Sequence, residues 1–335
     1  MSSLLRAGFE VNDLAAYATA GWTFANCTLT ATNAHQDMNG RGGSLCVRTA
    51  NFSTIYTRTF STSAQYVCFF VYFDASVPST SSITVWAYLT GSYQCGFRMR
   101  DDGFVDLLRG AGTVMATSVG TFATGTGYWV EAYIDAQNTG EMWVKMNGTL
   151  MVSAAATDFQ DLGSPYFDQL RFYSSTGYYR YFDDLAVRTG AQGTIPLTNE
   201  LYCVPQYVDG NSAVAFTPSA GTNYECVDEN PFSSADYVET VTATTEDRYT
   251  LQNLAVSPQS IDGVTLYIQG QRDGALTTIT PLVEHSATTD YGTATSPGGG
   301  GVSGMIVENF DTCPSSGVAW TEAEVNAAII GGKAD

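Results

Sequence analysis

The sequence predicts an all-β protein: a sandwich or jelly roll, followed by a smaller β-rich unit that carries a short C-terminal helix. Three observations lead there. Short runs rich in Val, Ile, Thr, Tyr, Phe and Trp recur along the chain, bounded by Gly, Asn and Ser. Helical periodicity is almost absent. The surface is made of hydroxyls and amides, with 44% apolar and only 14% charged residues, well under the usual quarter.

In chain order, the strand-like runs are Ala64–Phe73, Ser82–Leu89, Gln94–Arg100, Tyr128–Asp135 and Glu141–Met146. From Trp129 to Asp135 the odd positions carry Trp, Glu, Tyr and Asp while the even ones carry Val, Ala and Ile, the alternation of a half-buried strand. Asn147-Gly148 predicts a type I′ turn, since both residues tolerate positive φ. It would pair Trp143–Met146 with Thr149–Val152. Next, Tyr181-Phe182-Asp183-Asp184-Leu185-Ala186-Val187 reads as an aromatic, apolar strand interrupted by two carboxylates. Such acids are costly to bury unless a cation or hydrogen-bond donors compensate them. About ten or more strands at this spacing imply a sandwich or jelly roll.

A boundary falls near Thr189–Thr194, dividing a first domain at 1–190 from a second at 191–335. The second domain carries strands at Tyr249–Leu254 and Gly263–Gln269. Its helix is expected over Thr321–Ile329, with Thr321 as N-cap and Glu322 and Glu324 in the first turn. Glu324 completes a capping-box pattern, and Gly331-Gly332 would end the helix.

A net charge of −19 repels phosphate backbones, so nucleic acid is not an expected partner. The opening residues lack the pattern of a signal peptide, and no apolar run is long enough for a membrane span, so no membrane insertion is expected. Seven cysteines are scattered without CxxC spacing, and the two histidines, His35 and His285, read as surface residues. No zinc site is expected on this spacing, and the thiols are expected free in a reducing cytoplasm.

The first unit resembles the concanavalin-A-like jelly roll of legume lectins, laminin-G domains and carbohydrate-binding modules. Gly8-Phe9-Glu10, Gly21-Trp22, Gly43–Arg48, the Asn147-Gly148 turn and the closing Tyr181–Val187 carry the likeness over residues 4–190. The second unit resembles a domain of tailed-bacteriophage structural proteins. Its supporting residues are Phe216–Ser219, Val227–Glu229, Asp236–Val238, Asp247–Leu251 and Ala319–Asn326, and it departs from the family pattern at Asp311–Gly317. This resemblance implies a virion protein. The jelly-roll resemblance also implies a structural Ca²⁺ shared by Glu10 and Asp183 or Asp184, oxygen ligands of the kind a hard cation takes.

Enzymatic chemistry finds little support in the motifs. Glu131 and Asp135 share a strand face but sit about 13 Å apart along it, too far for the paired carboxylates of a glycosidase. Tyr133 occupies the place of an intervening acid. No nucleophile elbow, P-loop or HExxH is present. For glycan stacking the sequence offers Tyr178, Tyr179 and Tyr181, although such aromatics equally suit a protein interface.

The expectation is thus a non-enzymatic structural component of a tailed-phage virion, a decoration or accessory protein on the capsid or tail. Its partners would be other virion proteins and further copies of itself. The alternative is a receptor-binding tail protein whose jelly roll grips a host glycan. A polysaccharide depolymerase is the weakest reading.

Overall fold

The computed structural model describes residues 3–7, 23–31, 45–56, 64–73, 82–174, 180–189, 204, 206–228, 235–255, 257–258, 260–272, 274, 276–299 and 304–335. The chain divides into two compact units, Met1–Cys203 and Val204–Asp335.

The described strands of the first unit are β1 (Ser3–Ala7), β2 (Thr23–Ala31), β3 (Leu45–Tyr56), β4 (Ala64–Phe73), β5 (Ser82–Leu89), β6 (Ser92–Arg100) and β7 (Val105–Arg109). They continue with β8 (Thr113–Thr117), β9 (Gly127–Asp135), β10 (Gly140–Met146), β11 (Thr149–Thr157), β12 (Gln169–Ser174) and β13 (Arg180–Thr189). One antiparallel ladder runs β11-β10-β9-β4-β13-β3-β12-β5-β6-β7-β8, with β1 added to β13 and β2 to β3. The two ends of the unit therefore meet, Ala7 lying opposite Leu185.

This ladder folds over on itself. In a flat sheet β4 and β12 would stand three strand spacings apart, about 14 Å. The rings of Phe69 on β4 and Phe172 on β12 are 5.4 Å apart, centroid to centroid. Phe182 on β13 closes the trio at 5.8 Å from Phe69 and 6.3 Å from Phe172. The ladder is thus the all-β sandwich that the strand pattern predicts. Its core is filled by alternate residues: Ile83, Val85 and Ala87 of β5, Cys95, Phe97 and Met99 of β6, and Val130, Ala132 and Ile134 of β9 are all buried.

Two local predictions resolve in detail. Asn147 and Gly148 both take positive φ, 48° and 75°, and the turn joins Met146 to Thr149. The Asn147 carboxamide oxygen also accepts from the Trp129 backbone N–H at 2.8 Å, tying the hairpin to β9. The expected half-burial of β9 is exceeded, because Trp129, Glu131, Tyr133 and Asp135 on its other face are buried too. At Asp183–Asp184 the β13–β4 register slips between Asp183 and Ala186, with Asp184 at φ 49°. The extra residue lets Phe182 and Leu185, three apart, both reach the core, which strict alternation forbids.

The second unit contains β14 (Val208–Ala213), β15 (Thr217–Pro218), β16 (Val238–Glu239), β17 (Glu246–Leu251), β18 (Val264–Gly270), β19 (Ile279–His285), β20 (Thr288–Tyr291), β21 (Gly304–Phe310), helix α1 (Glu322–Asn326) and β22 (Ile329–Ala334). A five-stranded sheet is ordered β14-β17-β22-β19-β20, and β18 pairs with β21. Leu266, Val283, Phe310, Trp320, Val325 and Ala328 form a shared core with Cys313. Trp320 Nε1 donates to the Phe310 carbonyl at 2.9 Å.

The helix is shorter than the sequence predicts. Thr321 caps it and the capping box with Glu324 is present, but it stops after Asn326 and the chain turns into β22. Gly331 and Gly332 do not terminate a helix; they lie in the middle of the five-stranded sheet, facing Arg248 and Asp247 of β17. A Cβ at Gly331 would stand 1.9 Å from the Asp247 carbonyl oxygen, so glycine is required there for close backbone approach. Replacing Gly331 with Ala is expected to destabilise the chain by about 1–3 kcal/mol, read as a lower urea midpoint. An unchanged midpoint would contradict this packing.

Candidate functional site

The face of β12-β5-β6 turned away from the core carries an aromatic and cationic cluster. Arg171 of β12 lies opposite Trp86 of β5, and Gly96 of β6 flanks Trp86 on the other side. A Cβ at Gly96 would stand 3.0 Å from the indole, so the missing side chain makes room for the Trp86 ring. The Arg171 guanidinium lies 3.8 Å from the centre of the Tyr88 ring, a cation–π contact. Its Nε donates to Gln169 Oε1 at 2.7 Å, which fixes the plane of the fork.

Tyr93 completes the cluster through a bulge. Ala87 pairs with Cys95 but Tyr88 pairs with Tyr93, so Gln94 is an extra residue on β6. Strict alternation would send Tyr93 to the same side as Cys95, into the core. The bulge re-aims it, so that its ring sits 4.9 Å from Trp86 and 4.7 Å from Tyr88. Trp86 is 8% exposed, whereas Tyr93 is 39% exposed. The pair therefore presents one solvent-facing ring on a buried aromatic floor. Burial and the adjoining Tyr93 hydroxyl push the Tyr88 phenol well above its ordinary range, with Arg171 pulling the other way.

Gln94 does not idle. It is fully buried; its Oε1 accepts from the backbone N–H groups of Asp161 and Leu162 at 3.2 and 2.9 Å, and its amide donates to the Ser164 carbonyl. Asp168 N–H donates to the Tyr88 carbonyl at 2.7 Å. One bulge thus aims Tyr93 outward and anchors the loop that carries exposed Tyr166.

The residues singled out by sequence fall elsewhere. Glu10, Tyr178 and Tyr179 lie outside the described residues. Tyr181 is only 6% exposed and packs edge-on against Tyr72 at 6.1 Å, so it offers no solvent-facing ring for stacking. Asp183 and Asp184 are both buried at the β13 bulge, where Asp183 Oδ1 accepts from the Asp184 N–H at 2.8 Å.

Glu131 is 3% exposed and its Oε1 has no hydrogen-bond partner. Burial pushes its carboxyl up to about 7, while Lys145, opposite it on β10, pulls it down. Lys145 itself leans over the Trp143 ring at 4.8 Å. Asp135 is also raised by burial, against the opposing hydrogen bonds of Gln137. Neither acid opens to solvent.

No family profile matches the chain, and no curated protein matches it in sequence. Among solved structures, an endo-β-1,4-glucuronan lyase from the fungus Trichoderma reesei is similar at 12% identity and TM-score 0.41, over 56% of this chain and 96% of that one. The carbohydrate-binding module CBM66 from Bacillus subtilis is similar at 12% identity and TM-score 0.35, over 50% and 96%. A carbohydrate esterase of the Shiga toxin-encoding bacteriophage phi24B is similar at 10% identity and TM-score 0.41, over 57% and 99%. Similarity of this degree assigns no activity to the chain.

The raised Glu131 carboxyl has a consequence for stability. A group protonated more readily when folded stabilises fully below its unfolded pKa, near 4.5, and loses that contribution as pH rises through about 7. Between pH 5 and 8 the wild type is expected to lose about 2–3 kcal/mol relative to Glu131→Gln. Urea denaturation of both proteins across that range measures it, and parallel profiles would contradict it.

Proposed function

We propose that the first unit is a glycan-binding module and that the chain serves, without catalysis, as a structural component of a tailed-phage particle, exposed on the capsid or tail. The observation that carries the binding reading is Tyr93, solvent-facing and packed against Trp86 and Tyr88, with Arg171 on the Tyr88 ring. A pyranose presents a C–H face that stacks on such a ring, and an adjacent guanidinium donates to its hydroxyls or to a sugar carboxylate. The absence of catalysis is argued from Glu131 and Asp135. Both are buried, and a general acid must come within hydrogen-bond reach of the glycosidic oxygen. The particle placement rests on the resemblance of the second unit alone.

A glycan array probed with the full chain is expected to give reproducible binding to a restricted set of sugars. Tyr93→Ala is expected to lower that affinity at least about tenfold, the loss of a stacking interaction of roughly 1.5 kcal/mol, while the chain stays folded at a melting temperature lowered by the loss of its contacts with Trp86 and Tyr88. Equal binding by the variant, or no glycan bound at all, overturns the site. Particle placement is tested separately by cryo-electron microscopy of purified virions, and absence of the chain from them overturns that part.

A structural Ca²⁺ shared by Glu10 and Asp183 or Asp184 belongs to the same reading. Two carboxylates buried side by side at one bulge offer the hard oxygen donors such an ion takes. Calcium is then expected to raise the melting temperature, reversibly with chelator, and Asp184→Asn to abolish the response. A melting temperature indifferent to calcium contradicts it.

A further inference from the structure

We propose that the second unit holds a zinc ion between His285, Cys313 and Glu324. Their donor atoms lie within 4.8 Å of one another. The three residues come from distant points of the chain: the end of β19, the loop after β21, and the first turn of α1. Such spacing matches no short zinc motif, which is why the sequence predicts none. The fold gathers them nonetheless.

Each ligand is held before any metal arrives. His285 is the last residue of β19, paired with Thr288 across a two-residue turn. That turn places Ser286 and Ala287 at φ 49° and 61°, the positive φ that a two-residue hairpin turn requires at both central positions. Cys313 is fully buried in the core with Trp320 and Val325. Its loop is pinned at both ends, with Cys313 N–H donating to the Val318 carbonyl at 2.9 Å and Gly317 N–H to the Cys313 carbonyl at 2.8 Å. Glu324 is set by the capping box, its Oε2 accepting from the Thr321 N–H at 2.8 Å and the Thr321 hydroxyl at 2.9 Å. Those two bonds fix the carboxylate in place at the start of the helix.

The donor types select the metal. A thiolate, an imidazole and a carboxylate form a borderline-soft mixed set that suits Zn²⁺ and disfavours Ca²⁺ or Mg²⁺. Around tetrahedral zinc such donors stand about 3.3–3.8 Å apart, so the cluster contracts by about 1 Å on binding. The Ser315 hydroxyl now bridges two of them, 2.6 Å from His285 Nδ1 and 3.4 Å from Cys313 Sγ. It yields its place to the ion, and water takes the fourth position. Ligation releases the Cys313 thiol proton to solvent and takes the imidazole in its neutral form. Glu284, the neighbouring acid, does not compete, since it is paired with Arg248 and accepts from Thr289.

The test uses the full chain, stripped with EDTA and titrated with Co²⁺ as a spectroscopic probe. The expected result is one equivalent bound, with the visible bands of tetrahedral cobalt and a near-ultraviolet thiolate charge-transfer band, both lost when Zn²⁺ displaces it. Cys313→Ser is expected to remove the charge-transfer band. His285→Gln, at a partly exposed position, is expected to weaken zinc by more than the roughly 10- to 100-fold that loss of an outer-shell partner costs. Cys226→Ala serves as the control that retains binding. If Cys313→Ser fails to fold, as judged by circular dichroism, His285→Gln and Glu324→Gln decide. A titration without the thiolate band, or affinity unchanged in the folded ligand variants, overturns the site.

Discussion

The contact among Phe69, Phe172 and Phe182 governs the first unit. Phe69 and Phe172 sit on strands that would be well separated in a flat sheet, with Phe182 on the strand next to β4, and burying the three together forces the ladder to fold over. Once it has folded, every strand has a core side and an outer side, and alternation distributes its residues between them. The Trp86, Tyr88 and Arg171 cluster exists because β5 and β12 send Val85, Ala87, Leu170 and Phe172 inward. Core and candidate site are two faces of the same strands.

Bulges then edit this two-sided rule at selected points. At Gln94 the extra residue moves Tyr93 out of the core and onto the outer cluster, and the displaced glutamine ties down a loop. At Asp184 it brings two successive apolar residues back to the core while leaving two carboxylates buried together. Both are among the positions where the unit departs from strand regularity, and both carry its candidate chemistry. An unpaired extra residue in a ladder is destabilising unless it is satisfied elsewhere, and Gln94 is satisfied in full by the backbone of the 161–166 loop.

In the second unit the organising acid is Asp247, 1% exposed. One oxygen accepts from the N–H groups of Ala215 and Phe216, at 2.6 and 2.7 Å, and the other from Asn223 and the Tyr249 hydroxyl, at 2.8 and 2.7 Å. A buried carboxylate with this many donors is compensated. It fastens the segment around 215–223 to β17, beside the glycines of β22. The same sheet extends through β19 to His285, so the ladder that Asp247 braces also places one side of the proposed zinc site.

Local chemistry determined much of this protein directly. The strand runs, the Asn147-Gly148 turn and the Thr321 capping box are readable because each depends on a few adjacent residues, through positive φ, side-chain alternation or one hydrogen bond. Contacts between distant segments decided the rest. Gly331-Gly332 looks like a helix terminus until its strand partner is seen, because the need for glycine comes from the Asp247 backbone across the sheet. Tyr93 looks like a core residue until the register shift is seen, because a single inserted residue reverses the face of what precedes it. His285, Cys313 and Glu324 share no spacing at all, since three separate elements bring them together and only the folded chain measures the distance between them.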